Sequence, residues 1–286
     1  MPADTSDSHI AAQKGTVPYK MADGSDLAET VAQVEALGRR ALSFEVDVRS
    51  QASLDDAVTR TLSTFGRLDI LIANAGIRTQ APFWELSEDD WEVMMSVNLT
   101  GVWKSAKALA PHMIERRSGS IVITSSVNGL EPGMNYAHYV TAKHGVIGLM
   151  KNIALEPAPY GIRCNSINPG AIKIPMTDHQ GAWDMFAGHE GGTEADMIEG
   201  GYHFHALEGT TFMPPQVIAD TALLNSDLAA SVTGVTIPVD AGHLLADRLE
   251  SGTCQIGEHD DGNRHFDLTD SRFRLPSPSS SRSRDQ

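Results

Sequence analysis

The feature that most constrains the fold is the alternation of short apolar runs with helical stripes along the chain. Residues 68–73, Leu-Asp-Ile-Leu-Ile-Ala, are bounded by Gly66 and Gly76, which is typical of a strand buried on both faces of a parallel sheet. Four further strands are predicted at residues 41–48, 121–124, 162–167 and 235–239. Helices with one apolar face are predicted between them, at residues 27–37, 54–65, 91–109, 139–156 and 216–225. This alternation predicts an α/β fold in which helices cover both faces of an open parallel sheet.

Composition excludes several classes of function. The chain has 286 residues, and its 22 Lys and Arg against 37 Asp and Glu give a net charge of −15, which repels phosphate backbones. No nucleic acid partner is therefore expected. Two cysteines cannot form a disulfide framework, and no signal peptide is recognised, so we expect a cytoplasmic location. The longest apolar stretch, residues 68–75, is far shorter than the roughly 20 residues that span a bilayer, so no membrane association is expected.

Three regions are predicted along the chain. Residues 1–24 are polar and without periodicity, which indicates a loop or a disordered N-terminus. Residues 25–246 hold the predicted strands and helices and form one domain. Residues 247–286 lose apolar side chains and end in a stretch of Ser, Pro and Arg, which indicates a disordered tail. Within the domain, residues 176–215 are rich in glycine and predict a long functional loop with short helical pieces.

A tyrosine and a lysine four residues apart carry the strongest chemical signal. Tyr139 and Lys143 fall one turn apart on one face of the predicted helix, where the ammonium is expected to lower the pKa of the phenol. Such pairs are common on solvated helix faces, so the neighbouring sequence matters. Ser126 follows the strand at 121–124, at the strand end where open α/β sheets bind ligands. Asn98 is a polar amide inside the preceding helix, and these groups are expected to converge in one acid–base site.

These residues, with others in the same order and spacing, resemble the short-chain dehydrogenase/reductase family. The resemblance covers about residues 16–245 and rests on Asn74-Ala75-Gly76, Asn98, Ser126, Tyr139 with Lys143, and Pro169-Gly170. Within the family, the mycofactocin-coupled, carveol dehydrogenase-like branch is similar through residues 16–19, 26–39 and 233–242. The resemblance implies a Rossmann-type doubly wound parallel sheet and an NAD(P)-dependent oxidoreductase. It also implies assembly into a homotetramer or homodimer.

The resemblance assigns a role to each catalytic residue. Tyr139 would exchange the proton of the substrate hydroxyl while a hydride passes between the carbinol carbon and C4 of the nicotinamide. Lys143 would lower the phenol pKa and hold the nicotinamide ribose. Ser126 would bind the substrate oxygen, and Asn98 would position a water that links the lysine to solvent. The substrate implied is a small-molecule secondary alcohol or ketone, and the aromatic side chains of residues 176–215 favour an apolar, terpene-like one.

The resemblance also implies a cofactor site. NAD is the expected cofactor, and NADP stays open because no acidic ribose-binding residue can be identified in the sequence. The residues implied in cofactor binding are Asp47, Val48, Asn74, Ala75, Gly76, Tyr139, Lys143, Pro169 and Ile172. Asp47 and Val48 would contact the adenine, and Ile172 would present its main chain to the carboxamide.

One feature of the family is missing from this sequence. No Gly-x-x-x-Gly-x-Gly occurs, so the turn whose amides bind the pyrophosphate is absent, and the residues before Asp26 are too few for two strands and a helix. We therefore expect a fold that is truncated at its N-terminus, without its first two strands, and impaired cofactor binding. Ile174 stands where the family usually has a threonine. The alternative function is a non-catalytic family remnant that acts as an oligomerisation or interaction subunit.

Histidines and glutamates between residues 189 and 205 raise the question of a metal site. The residues concerned are His189, Glu190, Glu194, His203 and His205. Their spacing fits no regular ligand pattern, and surface histidines are the simpler interpretation. We therefore predict no metal ligand.

Overall fold

The computed structural model describes residues 17–202 and 204–246. The strands are β1 Ile70–Ala73, β2 Gly119–Thr124, β3 Ile162–Pro169 and β4 Thr236–Val239. The α-helices are α1 Gly24–Ala36, α2 Gln51–Phe65, α3 Glu88–Met95, α4 Gly101–Arg116, α5 Ala137–Leu155, α6 Gln180–Ala187, α7 Glu194–Tyr202, α8 Gln216–Ala219 and α9 His243–Ala246. A π-helical turn, Ser96–Thr100, joins α3 to α4, and 3-10 turns occur at Val127–Gly129, Ala158–Tyr160, Asp220–Asn225 and Asp227–Ala229.

The described strands form one parallel sheet in the order β1-β2-β3-β4. Ile121 of β2 lies opposite Leu71 of β1 on one side and Cys164 of β3 on the other. A hydrophobic cluster joins Ile121 and Cys164 to Val146 and Met150 of α5. Because all four strands run the same way, their carboxyl ends meet at one edge of the sheet. The α/β fold with a parallel sheet is thereby confirmed.

The second face of the sheet is covered by a shorter segment. The helix predicted at residues 216–225 forms as the single turn α8 followed by the 3-10 turn Asp220–Asn225. Leu224 of that turn packs against Val122 of β2 and Ile167 of β3. Both faces of the two central strands are therefore buried.

The strand predicted at residues 41–48 does not form, and that prediction is wrong. The segment has no regular secondary structure along its length. Alternating apolar side chains become a strand only when a neighbouring strand pairs with their main chain. None of the described strands pairs with this segment, and Leu42 within it is 40% exposed.

β1 is an edge strand in the described sheet, and the prediction that it is buried on both faces is wrong. It pairs with β2 on one side, and no described strand pairs with its other side. In addition, Ile70 is 45% exposed and Ile72 is 59% exposed, so the described residues do not cover the face of β1 that carries them. The apolar side chains of residues 68–73 are therefore typical of a fully buried strand, and the described part of the chain does not bury them completely.

The glycine-rich region at residues 176–215 contains the two helices α6 and α7, so the predicted short helical pieces are confirmed. Phe186 of α6 packs edge-on against Phe204 and Phe212, with ring centroids 5.1 and 5.0 Å apart. These contacts give the region a small aromatic core. We call residues 176–215 the lid.

The predicted terminal regions lie largely outside the described residues. These are residues 1–16 and the tail at 247–286. Residues 17–23 precede α1 without helix or strand. Val17 is nevertheless buried in a cluster with Ile77 and Tyr139, so this short segment lies against the part of the molecule that carries the tyrosine.

Residues 17–202 and 204–246 contain neither a membrane-spanning helix nor a cluster of metal ligands. No helix there is long and apolar enough to cross a bilayer. No group of three or more His, Cys, Asp or Glu side chains there could hold a metal ion. His203, one of the histidines considered above, lies outside the described residues.

Candidate active site

The carboxyl end of β2 holds the helix that carries the tyrosine and the lysine. Ser125 donates its hydroxyl hydrogen to the main-chain oxygen of Lys143 at 2.9 Å. The Lys143 ammonium donates to the main-chain oxygen of Thr124, also at 2.9 Å. Gly129 permits the close approach, because a Cβ there would lie 2.8 Å from the Lys143 oxygen. These bonds fix the first half of α5 against the strand end.

Tyr139 and Ser126 meet at the same strand end. Tyr139 is buried, and the Ser126 side chain acts to lower the pKa of its phenol. Ser126 is itself held on two sides. Its Oγ accepts a hydrogen bond from Asn128 N at 3.2 Å, and its main-chain oxygen accepts one from Asn168 Nδ2 at 2.6 Å. The hydroxyl is thus fixed beside the phenol.

Burial dominates the electrostatics of the tyrosine and the lysine. The pKa of Tyr139 is raised above its usual 10.0, because burial disfavours the phenolate more than the neighbouring groups stabilise it. Burial also lowers the pKa of Lys143 to about 8. The ammonium lies 5.5 Å from the centre of the Tyr139 ring, so the two groups are neighbours without a direct hydrogen bond between them.

The cation that acts to lower the pKa of Tyr139 is Arg78. The lowered phenol pKa expected from the Tyr139–Lys143 spacing is wrong for this site, because burial outweighs the charges and the lysine directs its ammonium to the Thr124 oxygen. The guanidinium of Arg78 lies 5.4 Å from the centre of the Tyr136 ring. The rings of Tyr136 and Tyr139 are in turn 6.1 Å apart.

Asn98 lies in the π-helical turn between α3 and α4 and is 1% exposed. Its Oδ1 accepts a hydrogen bond from Ile77 N at 2.8 Å, and its Nδ2 donates to Ile77 O at 2.7 Å. Both bonds anchor the chain that follows β1. Gly76 lies between Asn98 and Lys143, since a Cβ there would be 3.2 Å from Asn98 Oδ1 and 3.8 Å from the ammonium. The four residues predicted to be catalytic therefore surround one strand end.

The residues expected to bind the adenosine part of a cofactor differ in how deeply they are buried. Asn74 and Ala75 are exposed after the end of β1. Val48 packs beside the hydrophobic cluster that contains the tyrosine. Asp47 lies before α2, and its carboxylate accepts hydrogen bonds from the guanidinium of Arg49 at 3.0 and 2.8 Å. Of this set, Val48 lies nearest to the buried part of the site.

Pro169 and Ile172 lie on the β3 side of the site. Ile172 forms an isolated parallel bridge with Met213, and the residues on either side of Ile172 exchange 2.9 Å main-chain hydrogen bonds with Met213. In such a bridge the main-chain groups of the central residue point away from its partner. The Ile172 oxygen accepts the hydroxyl hydrogen of Thr177. Its amide points to the side opposite Met213.

Comparison with known proteins identifies the family. A family profile described as short chain dehydrogenase matches residues 8–185. The chain belongs to the short-chain dehydrogenase family. The (−)-trans-carveol dehydrogenase of Rhodococcus erythropolis is 40% identical over 233 residues, covering 80% of this chain and 84% of that relative. An uncharacterized NAD-dependent oxidoreductase of Mycobacterium tuberculosis is 39% identical over 232 residues, covering 80% of this chain and 82% of that relative.

A solved structure agrees with these relatives. The crystal structure of a carveol dehydrogenase from Mycobacterium avium in complex with NAD superimposes with a TM-score of 0.78 at 37% identity, covering 80% of this chain and 84% of that one. The expected family, its carveol dehydrogenase-like relatives and the Rossmann-type α/β fold with a parallel sheet are confirmed. This short-chain dehydrogenase is an oxidoreductase.

Four side chains around the site of this short-chain dehydrogenase were not predicted. Asn168 of β3 is fully buried and holds Ser126, and no sequence signal distinguishes it, because β3 also contains Arg163, Asn165 and Ser166. Tyr19 accepts a hydrogen bond from Arg78 N at 2.9 Å. Tyr136 donates its hydroxyl hydrogen to a glutamine side chain after β1, at 2.8 Å. Nothing in the periodicity distinguishes Tyr19, Arg78 or Tyr136, because their roles arise from long-range packing.

The large apolar side chains of the lid serve two purposes. Three of them form the aromatic core of the lid itself, namely Phe186, Phe204 and Phe212. Trp183 donates to Asp178 Oδ1 at 3.0 Å and so ties α6 to the turn before it. The Sδ of Met185 lies 3.5 Å from the Tyr136 hydroxyl. Met185 therefore connects the lid to the wall that carries the tyrosine pair.

Proposed function

We propose that this chain is an NAD-dependent oxidoreductase that interconverts a secondary alcohol and a ketone. The observation that carries the proposal is the meeting of a phenol, a hydroxyl and an ammonium at the end of β2. Ser126 acts to lower the pKa of the Tyr139 phenol, and Lys143 lies one helical turn along, with its ammonium 5.5 Å from the centre of the phenol ring. All three residues are buried. An alcohol placed against the phenol and the hydroxyl can lose its proton there as a hydride leaves the same carbon.

Each buried residue has a different role in the proposed reaction. Tyr139, as the phenolate, accepts the hydroxyl proton of the alcohol, and as the phenol it returns a proton to the carbonyl oxygen in the reverse direction. Ser126 donates a hydrogen bond to the substrate oxygen and stabilises the charge that develops on it. The Lys143 ammonium donates to the Thr124 oxygen and so holds α5 against the end of β2. Asn98 fixes the chain at Ile77 and so keeps the neighbouring glycine beside the ammonium.

The nicotinamide side of the site fits NAD. When bound, NAD supplies the acceptor for the carbinol hydride. Lys143 would hold the nicotinamide ribose, because its ammonium reaches the open strand end at Gly76. The amide of Ile172, which points away from Met213, would bind the carboxamide. The name of the Mycobacterium tuberculosis relative and the NAD in the Mycobacterium avium structure support this choice.

The pyrophosphate side fits NAD less well. The sequence contains no Gly-x-x-x-Gly-x-Gly, and such a turn supplies the amides that hold the phosphates. The chain is therefore expected to bind NAD through its nicotinamide side and with reduced affinity. Titrating the purified protein with NADH while following nicotinamide fluorescence should give saturation in the millimolar range. Saturation in the micromolar range would contradict the reduced affinity and leave the oxidoreductase proposal intact.

An apolar substrate, such as a terpene-like alcohol, suits the surroundings of the tyrosine. Leu130 and Met134 lie in the segment between β2 and α5 and are both exposed. Met185 of the lid approaches Tyr136, which lies beside the catalytic phenol. Apolar side chains with few polar groups are typical of sites that bind small apolar molecules. The carveol dehydrogenase relatives support the same substrate class.

Turnover tests the proposal directly. The protein is mixed with NAD⁺ and a series of apolar secondary alcohols that includes (−)-trans-carveol, and formation of NADH is followed by absorbance. Tyr139→Phe keeps the packing of the ring and removes the proton acceptor, so kcat/KM should fall about 1000-fold. Tyr160→Phe is the matched control, since Tyr160 lies on a 3-10 turn just before β3. This variant should oxidise the alcohols as fast as the unmodified protein does. Turnover that survives Tyr139→Phe would overturn the mechanism.

A non-catalytic interaction subunit is the second candidate function. The exposed edge of β1, where Ile70 and Ile72 face solvent, favours it, because such an edge can pair with another chain. This candidate requires that none of the alcohols gives NADH, at any NAD⁺ concentration, while the protein associates with other copies or proteins. Turnover that is abolished by Tyr139→Phe excludes it.

A further inference from the structure

Arg78 occupies a rigid position next to the site. It follows Ile77, whose main-chain N–H and oxygen are both held by the buried side chain of Asn98. Its own main-chain N–H donates to the hydroxyl of Tyr19 at 2.9 Å. Tyr19 belongs to the segment at residues 17–23 that lies against the tyrosine cluster. The main chain of Arg78 is therefore fixed from two sides before its side chain makes any contact.

The side chain of Arg78 spans from the wall of the site to the base of the lid. Its Nη2 donates to the main-chain oxygen of Met176 at 2.8 Å. Met176 is the first residue of the lid, four residues before α6 begins. The guanidinium also lies over the ring of Tyr136, 5.4 Å from its centre. One cation thus contacts both the base of the lid and the tyrosine beside the catalytic phenol.

The charge of Arg78 is not neutralised by a nearby carboxylate. Among the described residues, no Asp or Glu forms a salt bridge with it. The titratable groups that respond to its charge are Tyr19, Tyr136, Tyr139 and His179, and it lowers the pKa of each. On Tyr139 its effect is the largest that opposes burial. The other cation near that phenol is Lys143 of the same helix, 5.5 Å from the ring.

We propose that Arg78 is a positioning residue for this site, which holds the base of the lid at Met176 against the catalytic wall and faces the Tyr139 phenolate with a fixed positive charge. The inference rests on the proposed oxidoreductase function and adds a second cation to it. Lys143 lies on α5, whereas Arg78 lies on the chain that follows β1. Opening of the lid at Met176 would break the 2.8 Å bond and release the cation.

Two substitutions separate the charge of Arg78 from its hydrogen bond. Arg78→Gln keeps a donor for the Met176 oxygen and removes the charge, and Arg78→Lys keeps the charge. The readout is the tyrosinate absorbance during a pH titration, with the titration of the same variant carrying Tyr139→Phe subtracted to isolate Tyr139. The pKa of Tyr139 should be higher with Arg78→Gln than in the unmodified protein and should return with Arg78→Lys. Because the loss of this charge leaves less phenolate, kcat/KM at a fixed pH should fall with Arg78→Gln by the factor by which the measured phenolate fraction of Tyr139 falls.

Arg60→Met is the control for net charge. Arg60 lies on α2, is paired with Asp56 on the same helix and is remote from the site, and its loss should leave the Tyr139 titration unchanged. An unchanged Tyr139 titration with Arg78→Gln overturns the role of Arg78, and so does a failure of Arg78→Lys to restore it. These titrations need neither cofactor nor substrate. If they give the expected shift while no alcohol is oxidised by the unmodified protein, the oxidoreductase proposal fails and the role of Arg78 stands.

Discussion

Lys143 is a charged side chain held in an unfavourable environment. It is 5% exposed, its ammonium makes a hydrogen bond to Thr124, and its pKa is lowered from 10.5 to about 8 by burial. A basic group whose folded-state pKa lies below its unfolded value destabilises the folded protein at every pH where the group is protonated in the unfolded chain. The destabilisation is complete below pH 8 and disappears as the pH rises past the unfolded pKa. The chain therefore keeps this lysine at a cost in stability.

Replacing this lysine should stabilise the protein at neutral pH. Lys143→Met removes the buried charge and keeps the volume, so the free energy of unfolding at pH 7 should increase by up to about 3 kcal/mol, less about 1 for the lost hydrogen bond. The gain should shrink between pH 8 and 10.5, where the folded lysine loses its proton. Urea denaturation at pH 7 and pH 10 measures this difference in the free energy of unfolding. Lys151→Met, at an exposed position on the same helix, is the control. If Lys143→Met were less stable at pH 7 than the unmodified protein, burial of the lysine charge would not be what destabilises the fold.

The buried amide of Asn98 should be essential for stability as well as for the site. Asn98→Ala leaves the N–H and the oxygen of Ile77 without partners, which should lower the free energy of unfolding by about 3 kcal/mol. Asn152→Ala is the control, because Asn152 is exposed on α5 and bonds only to its own helix. Thermal unfolding of both variants measures the difference. Equal melting temperatures would show that the Asn98 bonds contribute nothing.

At the scale of residues, the sequence predicts which side chains lie close together in the site, but it does not predict the direction in which their pKa values are shifted. The spacing of Tyr139 and Lys143 and the position of Ser126 after a strand were enough to bring the three together. The direction of the Tyr139 pKa was not predictable, because it depends on how deeply the phenol is buried and on Arg78, which is distant in sequence. Asn168 and Tyr19 act through contacts between elements, which no local pattern encodes.

At the scale of elements, β1 differs most from what its sequence indicates. Periodicity and β-branched composition identified the four strands of the described residues, because these signals report how a strand is buried. They also predicted a strand at residues 41–48 that does not form, because a strand requires a partner and pairing is not local. No strand within residues 17–202 and 204–246 pairs with the outer edge of β1, which lies beside exposed Ile70 and Ile72.

Self-association through this edge is expected and can be suppressed. Ile72→Lys places a charge on the exposed face of β1, which disfavours pairing with another strand edge. Light scattering during concentration should show less aggregation with this variant than with the unmodified protein. Leu228→Lys is the matched control, because Leu228 is also exposed but lies on a 3-10 turn outside the sheet edge. Equal suppression by both variants would assign the effect to net charge and not to the edge.

At the scale of the whole molecule, the helices α4 and α5 offer surfaces for a second copy. The resemblance to the family predicts a homotetramer or a homodimer, and Trp103 of α4 and Leu155 of α5 are exposed apolar side chains on these helices. Size-exclusion chromatography with light scattering should therefore give a dimer or a tetramer. Trp103→Glu should shift the protein toward the monomer, and Leu37→Glu, at the end of α1, should not. A monomer at all concentrations would contradict the expected assembly.

The bonds between the end of β2 and α5 have a consequence for engineering. Thr124, Ser125 and Ser126 are consecutive, and between them they contact Lys143 and Tyr139. The reactive groups are thus prearranged by one strand, one helix and the turn between them, independently of the segment that would bind phosphates. A dinucleotide-binding fragment supplied as a separate polypeptide, and docked along the free margin of β1, would meet a reaction centre that is already assembled.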